Sequence, residues 1–382
     1  RRFVGSEARA AAGLLPMNFT RVAGENFRLF PAFELLPRPG VNLLLGANAA
    51  GKTTLLEAVY ALGRGKSFRG QPPEQAGAAG SHWRLQGRLA LPERPELAIG
   101  LDWTPDGLDL RLDHAEAALQ DLVSRVAVQV LEPDSHRLLQ EGPVYRRRYL
   151  DWGVFHVEHR FYPAWRRYQR ALKQHNHALR AGARRAEVEA WNTELVGSGT
   201  EVQECRERHV EHLREHFGGA VTALLGPMDW SLDLARGWAA GKALEAALAD
   251  HYEQDARAGK TALGPHRAEL RLKLGGHSAK RQVSRGQQKL LIAALLLAQA
   301  RLVRARAALC PILLVDDFPA ELGQPFQQAL IGALLDYPGQ CFVSSIELTP
   351  ALARARENPA TNAPRNAVFH VEHGSVSGPS LV

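Results

Sequence analysis

The sequence predicts an α/β fold in which a mixed sheet surrounds a phosphate-binding loop, accompanied by a small antiparallel sheet and an inserted α-helical lobe. Three observations lead to this prediction. The segment 46–53, GANAAGKT, matches the phosphate-binding loop pattern and lies between an apolar run and a helical run. Short apolar runs typical of buried parallel strands recur near the carboxyl end. A long arginine-rich stretch with helical periodicity lies between these two regions.

The composition indicates a globular protein with a basic surface. The 382 residues are enough for two or three domains, and 45% of them are hydrophobic. The formal net charge is +7, and only eight of the 47 basic residues are lysine. Because arginine binds phosphate through a bidentate fork, this excess favours a nucleic-acid partner. An arginine-rich genome would produce the same excess, so charge alone does not decide between the two explanations.

Cysteine spacing and hydropathy indicate a cytoplasmic protein. The three cysteines, at 205, 310 and 341, are far apart and form no C-x-x-C pair, so neither a zinc site nor a disulfide framework is expected. The most apolar stretch, 290–298, is too short to span a membrane, and no signal peptide is recognisable. Residues 1–16 precede Met17 and are expected to be a disordered or artificial extension outside the fold.

The amino-terminal elements are predicted to be strands. Residues 17–45 fit strand, turn and strand, ending in the apolar run 41–45 that enters the phosphate-binding loop. A glycine-rich surface loop is expected at 71–82. Residues 83–113 alternate apolar and polar side chains and contain an Asp106-Gly107 hairpin turn, which predicts a small antiparallel sheet beside the nucleotide site. A further strand is expected at 126–131.

The middle of the chain is predicted to be helical. A helix begins near Tyr162-Pro163, with proline in its first turn, and further helical runs cover 186–196 and 201–217. The predicted domains are therefore a head formed by residues 17–150 and 251–382 and an inserted arm formed by 151–250. In the second part of the head, we expect a long helix at 290–306 and buried strands at 312–315, 341–343 and 368–371.

The segment 46–53 supplies the chemistry for binding a nucleoside triphosphate. Its glycines let backbone N–H groups close around phosphate oxygens, and the following helix directs its free N–H groups at them. Lys52 is predicted to reach the β- and γ-phosphates as a catalytic residue, and the Thr53 hydroxyl to hold Mg²⁺. A chance loop between a strand and a helix is the alternative. The predicted nucleotide-binding residues here are Gly46, Ala47, Asn48, Ala49, Ala50, Gly51, Lys52, Thr53 and Thr54.

Two features nearer the carboxyl end complete such a site. The segment 283–289, VSRGQQK, leads into the long helix and forms an anion-binding corner, in which Ser284, Gly286 and Gln287 are predicted to contact nucleotide. The strand 312–315 ends in two acids: Asp316 is predicted to hold Mg²⁺, and Asp317 to orient or deprotonate the attacking water. Taken singly, these features also fit a helix N-cap and a turn.

The order and spacing of these features resemble the ABC-type ATPase heads, and within that class the chain resembles the RecF family of the SMC-like group. The resemblance covers roughly residues 17–375, and the ordered series of motifs is specific. The stretches that carry it, besides the phosphate-binding loop and the acidic strand end, are Asn26-Phe27-Arg28, Lys66-Ser67-Phe68-Arg69, Pro133-Asp134-Ser135-His136, the run from Gly142 to Gly153, Gly264-Pro265-His266-Arg267, and Ser284 to Lys289.

The resemblance implies a function and partners. Such proteins bind ATP with Mg²⁺, hydrolyse it slowly in a DNA-dependent manner, and dimerise head to head, so that each signature serine meets the nucleotide of the other subunit. They bind gapped DNA at junctions of single and double strand, and act with RecO and RecR to load the recombinase. The sequence departs from the family pattern at Ala49, where glycine is usual, and at Gly323, where aspartate is usual.

Candidate DNA contacts are arginines and one lysine. A solvated helix face is the alternative for each of them. Three other classes remain open at this stage: a transporter ATPase subunit, a full-length SMC-type protein, and a kinase-like P-loop enzyme. A transporter ATPase subunit is disfavoured because this chain carries a large helical insertion. A full-length SMC-type protein is disfavoured because the insertion is too short for that class. A kinase-like enzyme would leave the Ser284 signature unexplained. The candidate DNA contacts are Arg69, Arg146, Arg147, Arg148, Arg166, Arg170 and Lys173.

Overall fold

The computed structural model describes residues 17–77, 82–91, 94–318, 322–355 and 365–380. The predicted extension at 1–16 lies outside these residues. The chain divides into two compact units: the first extends to Ser135, resumes at Lys289, and includes 223–225, whereas the second comprises 136–222 and 226–288. The predicted division into a head of residues 17–150 and 251–382 and an arm of residues 151–250 stays a prediction.

The first unit contains two six-stranded sheets. One is antiparallel, with strand order β2-β1-β4-β5-β6-β7; the other is mixed, with order β15-β14-β3-β13-β12-β8, and only its edge strand β15 is antiparallel to its neighbour. The elements are β1 Asn18–Phe27, β2 Phe30–Leu35, β3 Val41–Leu45, α1 Lys52–Arg64, β4 Trp83–Leu91, β5 Arg94–Thr104, β6 Gly107–Leu112, β7 Ala115–Glu116, α2 Leu119–Arg125, β8 Val128–Leu131, β12 Ile312–Val315, α11 Gln324–Leu335, β13 Cys341–Ser345, α12 Pro350–Ala353, β14 Ala367–Glu372 and β15 Ser375–Ser380.

The central strands of the mixed sheet are apolar because they are buried on both faces. Every residue of β3, β12 and β13 is buried. The polar exceptions are Asn42 in β3 and the two serines that end β13. The Asn42 amide is satisfied locally: Nδ2 donates to Arg38 O at 2.8 Å, and Oδ1 accepts from the Arg38 N–H at 2.7 Å. Because β3, β13 and β12 are adjacent and parallel, their carboxyl ends meet at one edge of the sheet.

The second unit is mainly helical and contains the three-stranded antiparallel sheet β11-β10-β9. Two helices cross the boundary between the units: residues 223–225 at the end of α7 belong to the first unit, and α10 belongs to the second unit only up to Gln288 and to the first from Lys289 onward. The elements are α3 Arg137–Gln140, α4 Pro143–Val157, α5 Phe161–Arg180, α6 Arg185–Glu189, α7 Asn192–Leu225, β9 Trp230–Ala235, α8 Leu244–Ala258, β10 Glu269–Leu274, β11 His277–Ser278, α9 Ala279–Gln282 and α10 Arg285–Ala307.

The predicted strands are confirmed, whereas the helical runs at 186–196 and 201–217 are wrongly divided. The structure ends a short helix at Glu189 and forms one helix of 34 residues from Asn192. Among the described residues, no helix combines the length and the hydropathy required to cross a membrane. All three cysteines are buried, and burial raises the pKa of each thiol.

Candidate nucleotide site

The phosphate-binding loop connects β3 to α1 at the carboxyl edge of the mixed sheet. Gly46 is required by packing, because a Cβ there would lie 2.1 Å from the Val371 carbonyl oxygen. Gly51 adopts φ 116° immediately before the first helical residue, Lys52, a conformation that favours glycine. The predicted strand, loop and helix are therefore present, and the N–H groups of the first turn of α1 are directed into the loop.

Ala49 has φ 61°, in the left-handed region. A β-carbon in this conformation approaches the following carbonyl oxygen, which costs about 1 kcal/mol or more for a residue other than glycine. The side chains of Ala47, Asn48 and Ala49 are exposed, whereas Ala50 and Thr54 are buried beneath the loop. Alanine at position 49 is therefore accommodated with local backbone strain.

Lys52 is folded back into the loop that precedes it. Its Nζ donates to the carbonyl oxygens of Gly46 and Ala47, each at 2.7 Å. Burial lowers the pKa of Lys52, and the nearby charges of Asp317 and Asp316 raise it in opposition. The ammonium group is thus held inside the loop, where a phosphate oxygen would replace a carbonyl as its acceptor.

Thr53 and Asp316 meet although they are 263 residues apart in sequence. The Thr53 hydroxyl donates to Asp316 Oδ1 at 2.9 Å, which joins the loop to the acidic end of β12. Burial raises the pKa of Asp316, and the hydroxyls of Ser344 and Thr53 lower it. Adjacent hydroxyl and carboxylate oxygens are the ligands that Mg²⁺ prefers, so the residues present fit this ion.

Asp317 differs from Asp316 in exposure and in backbone conformation. Asp316 is 9% exposed, whereas the side chain of Asp317 is exposed to solvent and its backbone is left-handed, with φ 53°. The Asp317 N–H donates to Ser344 Oγ at 2.7 Å. The buried Asp316 is therefore suited to bind a metal ion, and the exposed Asp317 is suited to act as a base toward water. Ser344 was not predicted from the sequence, where the only signal was a pair of serines ending an apolar strand.

The Ser284 signature lies in the second unit, at the amino end of α10. The Ser284 N–H donates to Gln287 Oε1 at 3.0 Å, and the Gln287 N–H donates to Ser284 Oγ at 3.2 Å, forming a capping box. Ser284 is exposed, and Gly286 is the second residue of the helix. The serine hydroxyl is thereby fixed at a helix amino end, with its hydrogen available to an anion.

The candidate DNA contacts fall into two groups. Arg146 forms a salt bridge with Glu269, 2.5 Å from Nε to Oε1, and Arg147 donates to the Ala268 carbonyl at 2.8 Å, so both guanidinium groups hold the second unit together. An Arg69 guanidinium nitrogen lies 3.8 Å from Oε2 of the buried Glu57, which also forms a salt bridge with Arg28. Arg69 is exposed despite this pairing, as are Arg148, Arg166, Arg170 and Lys173.

A phosphate-binding loop hydrogen-bonded to the acid at the end of a neighbouring parallel strand, with an antiparallel sheet in the same unit, defines an ABC-type ATPase head of the SMC-like group. A family model described as an AAA domain matches residues 21–86. The chain is 36% identical to the DNA replication and repair protein RecF of Shewanella baltica and to that of Shewanella oneidensis, over 94% of this chain and 99% of each relative. The chain belongs to the RecF family.

Solved structures agree with this fold. A structure of the recombination mediator protein RecF with ATP, in the RecFOR pathway, superposes with a TM-score of 0.82 at 19% identity, covering 95% of this chain and 98% of the other. An Smc head domain from Pyrococcus furiosus superposes with a TM-score of 0.56 at 14% identity, covering 94% and 95%. Both similarities concern the fold.

Proposed function

We propose that this chain is an ATP-dependent DNA-binding protein of recombinational repair and replication, acting in the cytoplasm as an ATP-gated dimer with slow, DNA-stimulated ATPase activity. The observation that carries the proposal is the hydrogen bond from Thr53 to Asp316, which joins the two halves of a phosphate and metal site across the sequence. Membership of a family named for DNA replication and repair supports the cellular role.

The P-loop residues bind the triphosphate. Backbone N–H groups from Ala47 to Gly51 surround the phosphate oxygens, and Lys52 exchanges its two carbonyl acceptors for the terminal phosphates. Thr53 and Asp316 would hold Mg²⁺, which would supply positive charge beside the phosphates. Asp317, exposed beside Asp316, orients or deprotonates the attacking water. Aspartate is shorter than glutamate, which is consistent with slow turnover.

The signature segment provides the dimer contact. Ser284 is exposed at the amino end of α10 and belongs to the second unit, whereas the P-loop belongs to the first. In an ABC-type head, the signature serine meets the γ-phosphate held by another subunit. ATP then becomes part of the interface, two nucleotides are enclosed symmetrically, and hydrolysis releases the dimer. Gly323, the amino-terminal cap of α11, lacks the carboxylate that is usual there, so coupling between the two sites is expected to be weakened.

The basic face of α5 is the best-supported DNA contact. This helix of 20 residues contains four arginines and one lysine and no acidic residue. Within the described part of the chain, Arg166, Arg170 and Lys173 are exposed and have no ion-pair partner, whereas Arg167 pairs with Glu201 at 2.6 Å. Unpaired cations at helical spacing suit a phosphate backbone. RecO and RecR are the proposed protein partners.

The proposal is tested by sedimentation and by gel shift on gapped DNA, with and without ATP and Mg²⁺. We expect monomers without nucleotide, dimers with ATP, and tighter binding of gapped DNA in the dimeric state. Lys52→Ala serves as the control, because loss of the P-loop ammonium removes the ATP response while leaving the fold intact. Dimerisation and DNA affinity that do not respond to ATP in the unsubstituted protein would refute the proposal.

A further inference from the structure

Ser344 contacts three consecutive residues at the acidic end of β12. Its hydroxyl donates to Asp316 Oδ1 at 2.8 Å and accepts the Asp317 N–H at 2.7 Å, and its carbonyl oxygen accepts the Phe318 N–H at 2.7 Å. One hydroxyl therefore uses its single hydrogen and one lone pair to connect the side chain of the first acid with the backbone of the second. Ser344 is 1% exposed, so water does not compete for these bonds.

The position of Ser344 follows from the sheet. β13 lies between β3, which ends in the P-loop, and β12, which ends in the two acids, and it is parallel to both. Polar side chains at the carboxyl end of β13 are therefore adjacent both to the P-loop and to the two acids. Asp316 Oδ1 accepts one hydrogen bond from the Thr53 hydroxyl, at the end of the P-loop, and another from the Ser344 hydroxyl on β13. Two hydroxyls therefore hold a single carboxylate oxygen.

Asp317 depends on the same contact. Its left-handed backbone, with φ 53°, is uncommon for a residue other than glycine and persists only where surrounding contacts hold it. The hydrogen bonds from the Asp317 and Phe318 N–H groups to Ser344 provide that support on both sides of the Asp317 carbonyl. The Ser344 hydroxyl provides the first of these contacts, and so contributes to the backbone conformation from which the exposed Asp317 side chain projects.

We propose that Ser344 is a positioning residue of the hydrolytic site: its hydroxyl fixes Asp316 toward Mg²⁺ and fixes the backbone turn from which Asp317 faces the attacking water. This inference rests on the proposed ATPase function. Residues that orient a metal ligand commonly change metal affinity or activity by about 10- to 100-fold when they are removed. Ser344 thus couples metal binding and water activation through one side chain.

The adjacent Ser345 offers a matched control. It ends the same strand, is 3% exposed, and donates to the Glu347 carbonyl at 2.8 Å instead of to either acid. Replacing either serine by alanine removes one buried hydroxyl from the same strand end, but only Ser344→Ala removes a contact to Asp316 and Asp317. Differences between the two variants therefore report on the acids rather than on general loss of packing.

The experiment measures binding of a fluorescent ATP analogue as Mg²⁺ is titrated, at a temperature well below the Tm of each variant, together with kcat and KM for ATP. For Ser344→Ala we expect unchanged analogue binding without Mg²⁺, a Mg²⁺ requirement raised about 10- to 100-fold, and a lowered kcat with little change in KM at saturating Mg²⁺. Ser344→Thr keeps the hydroxyl and should recover most of both properties. Ser345→Ala should match the unsubstituted protein.

The outcomes separate this inference from the function on which it rests. If the unsubstituted protein does not bind the analogue, the proposed ATPase function fails. If that protein binds the analogue and responds to Mg²⁺, but Ser344→Ala has the same Mg²⁺ requirement and kcat, only the role of Ser344 is refuted. An equal shift in Ser345→Ala would also overturn it, because the effect would then belong to the strand end and not to the acids.

Discussion

Single residues of the nucleotide site maintain backbone conformations that their side chains disfavour. Ala49 and Asp317 are both left-handed, with φ 61° and 53°. Asp317 is held by hydrogen bonds that the Asp317 and Phe318 N–H groups donate to Ser344 on β13, whereas the side chain of Ala49 is exposed. Strain at such positions is typical of binding sites, where the surrounding structure over-determines the conformation. The stability of the free protein should therefore increase when the strain at Ala49 is removed.

Ala49→Gly should stabilise the nucleotide-free protein by about 0.5 to 1 kcal/mol. Relief of the left-handed strain outweighs the greater chain entropy that glycine gives to the unfolded state. Urea unfolding measures the difference. Ala47→Gly is the control, because Ala47 is also exposed in the loop but does not have a positive φ, and it should be neutral or destabilising. Equal effects of the two substitutions would contradict the strain at position 49.

His266 makes the stability of the protein depend on pH. Its Nδ1 lies 2.6 Å from the Tyr168 hydroxyl and its Nε2 lies 3.0 Å from the Thr261 carbonyl, so the neutral ring accepts from Tyr168 and donates to Thr261. Burial lowers the pKa of His266 from 6.5 to about 4. Between these values the unfolded chain binds more protons than the folded one, so stability is complete above pH 6.5 and is lost as the pH falls toward 4.

The expected loss is about 1.4 kcal/mol per pH unit within that window. Thermal unfolding of the unsubstituted protein and of His266→Gln should therefore show a stability advantage of histidine at pH 7 that shrinks steadily toward pH 4. An advantage that is constant across the window would mean that His266 does not titrate between the two states.

At the scale of elements, the sequence predicted the strands and the P-loop helix well, because buried parallel strands and glycine-rich loops have local signatures. The long helix α7 was divided in the prediction between 196 and 201, where the chain has Gly197 and Gly199, and glycine disfavours a helix interior. Gly199 is present for packing: a Cβ there would lie 3.0 Å from the Tyr168 ring. Ser198 donates back to the Glu194 carbonyl within the helix.

The predicted site residues of the P-loop and of β12 come together in the structure, but Ser344 was missed for a physical reason. It meets Asp316 only through sheet pairing, and the two residues are 28 positions apart. Local pattern carries no information on which strand lies between two others. The same limitation applies to Arg146 and Arg147, because their partners on the segment 268–269 become visible only in the folded second unit.

The basic face of α5 should govern DNA affinity. Replacing Arg166, Arg170 and Lys173 by glutamate should weaken binding to gapped DNA and lower the slope of log affinity against log salt by about 1 for each lost phosphate contact. The control changes the same amount of charge at the exposed Arg184, Arg257 and Lys260. If both triple variants lose affinity and slope equally, net charge rather than this helix face attracts the DNA.

At the scale of the whole molecule, the proposed ATP-bound dimer would take the two parts of each site from different compact units. The P-loop, Asp316 and Asp317 belong to the first unit, and the Ser284 signature to the second. If each complete site takes one half from each of two subunits, the defects of two variants can be complementary. This complementarity distinguishes a composite site from one that is completed within a single chain.

Ser284→Arg should bind ATP as a monomer and neither dimerise nor hydrolyse, because the bulky side chain blocks the contact to the partner's nucleotide. Mixing it with Lys52→Ala should restore part of the ATPase activity, since one composite site then has an intact P-loop half and an intact signature half. A mixture of Lys52→Ala with Asp317→Asn is the control: both defects lie in the P-loop half, so no intact site forms. Normal dimerisation of Ser284→Arg with ATP would rule out this arrangement.

The burial of all three cysteines makes the protein suitable for site-specific labelling. Cys205, Cys310 and Cys341 have raised thiol pKa values, so little thiolate is available to a maleimide dye in the folded state. A single cysteine introduced at the exposed Ala186 would therefore react selectively without removal of the natural ones. Energy transfer between donor- and acceptor-labelled copies could then follow the lifetime of the proposed dimer on one DNA molecule.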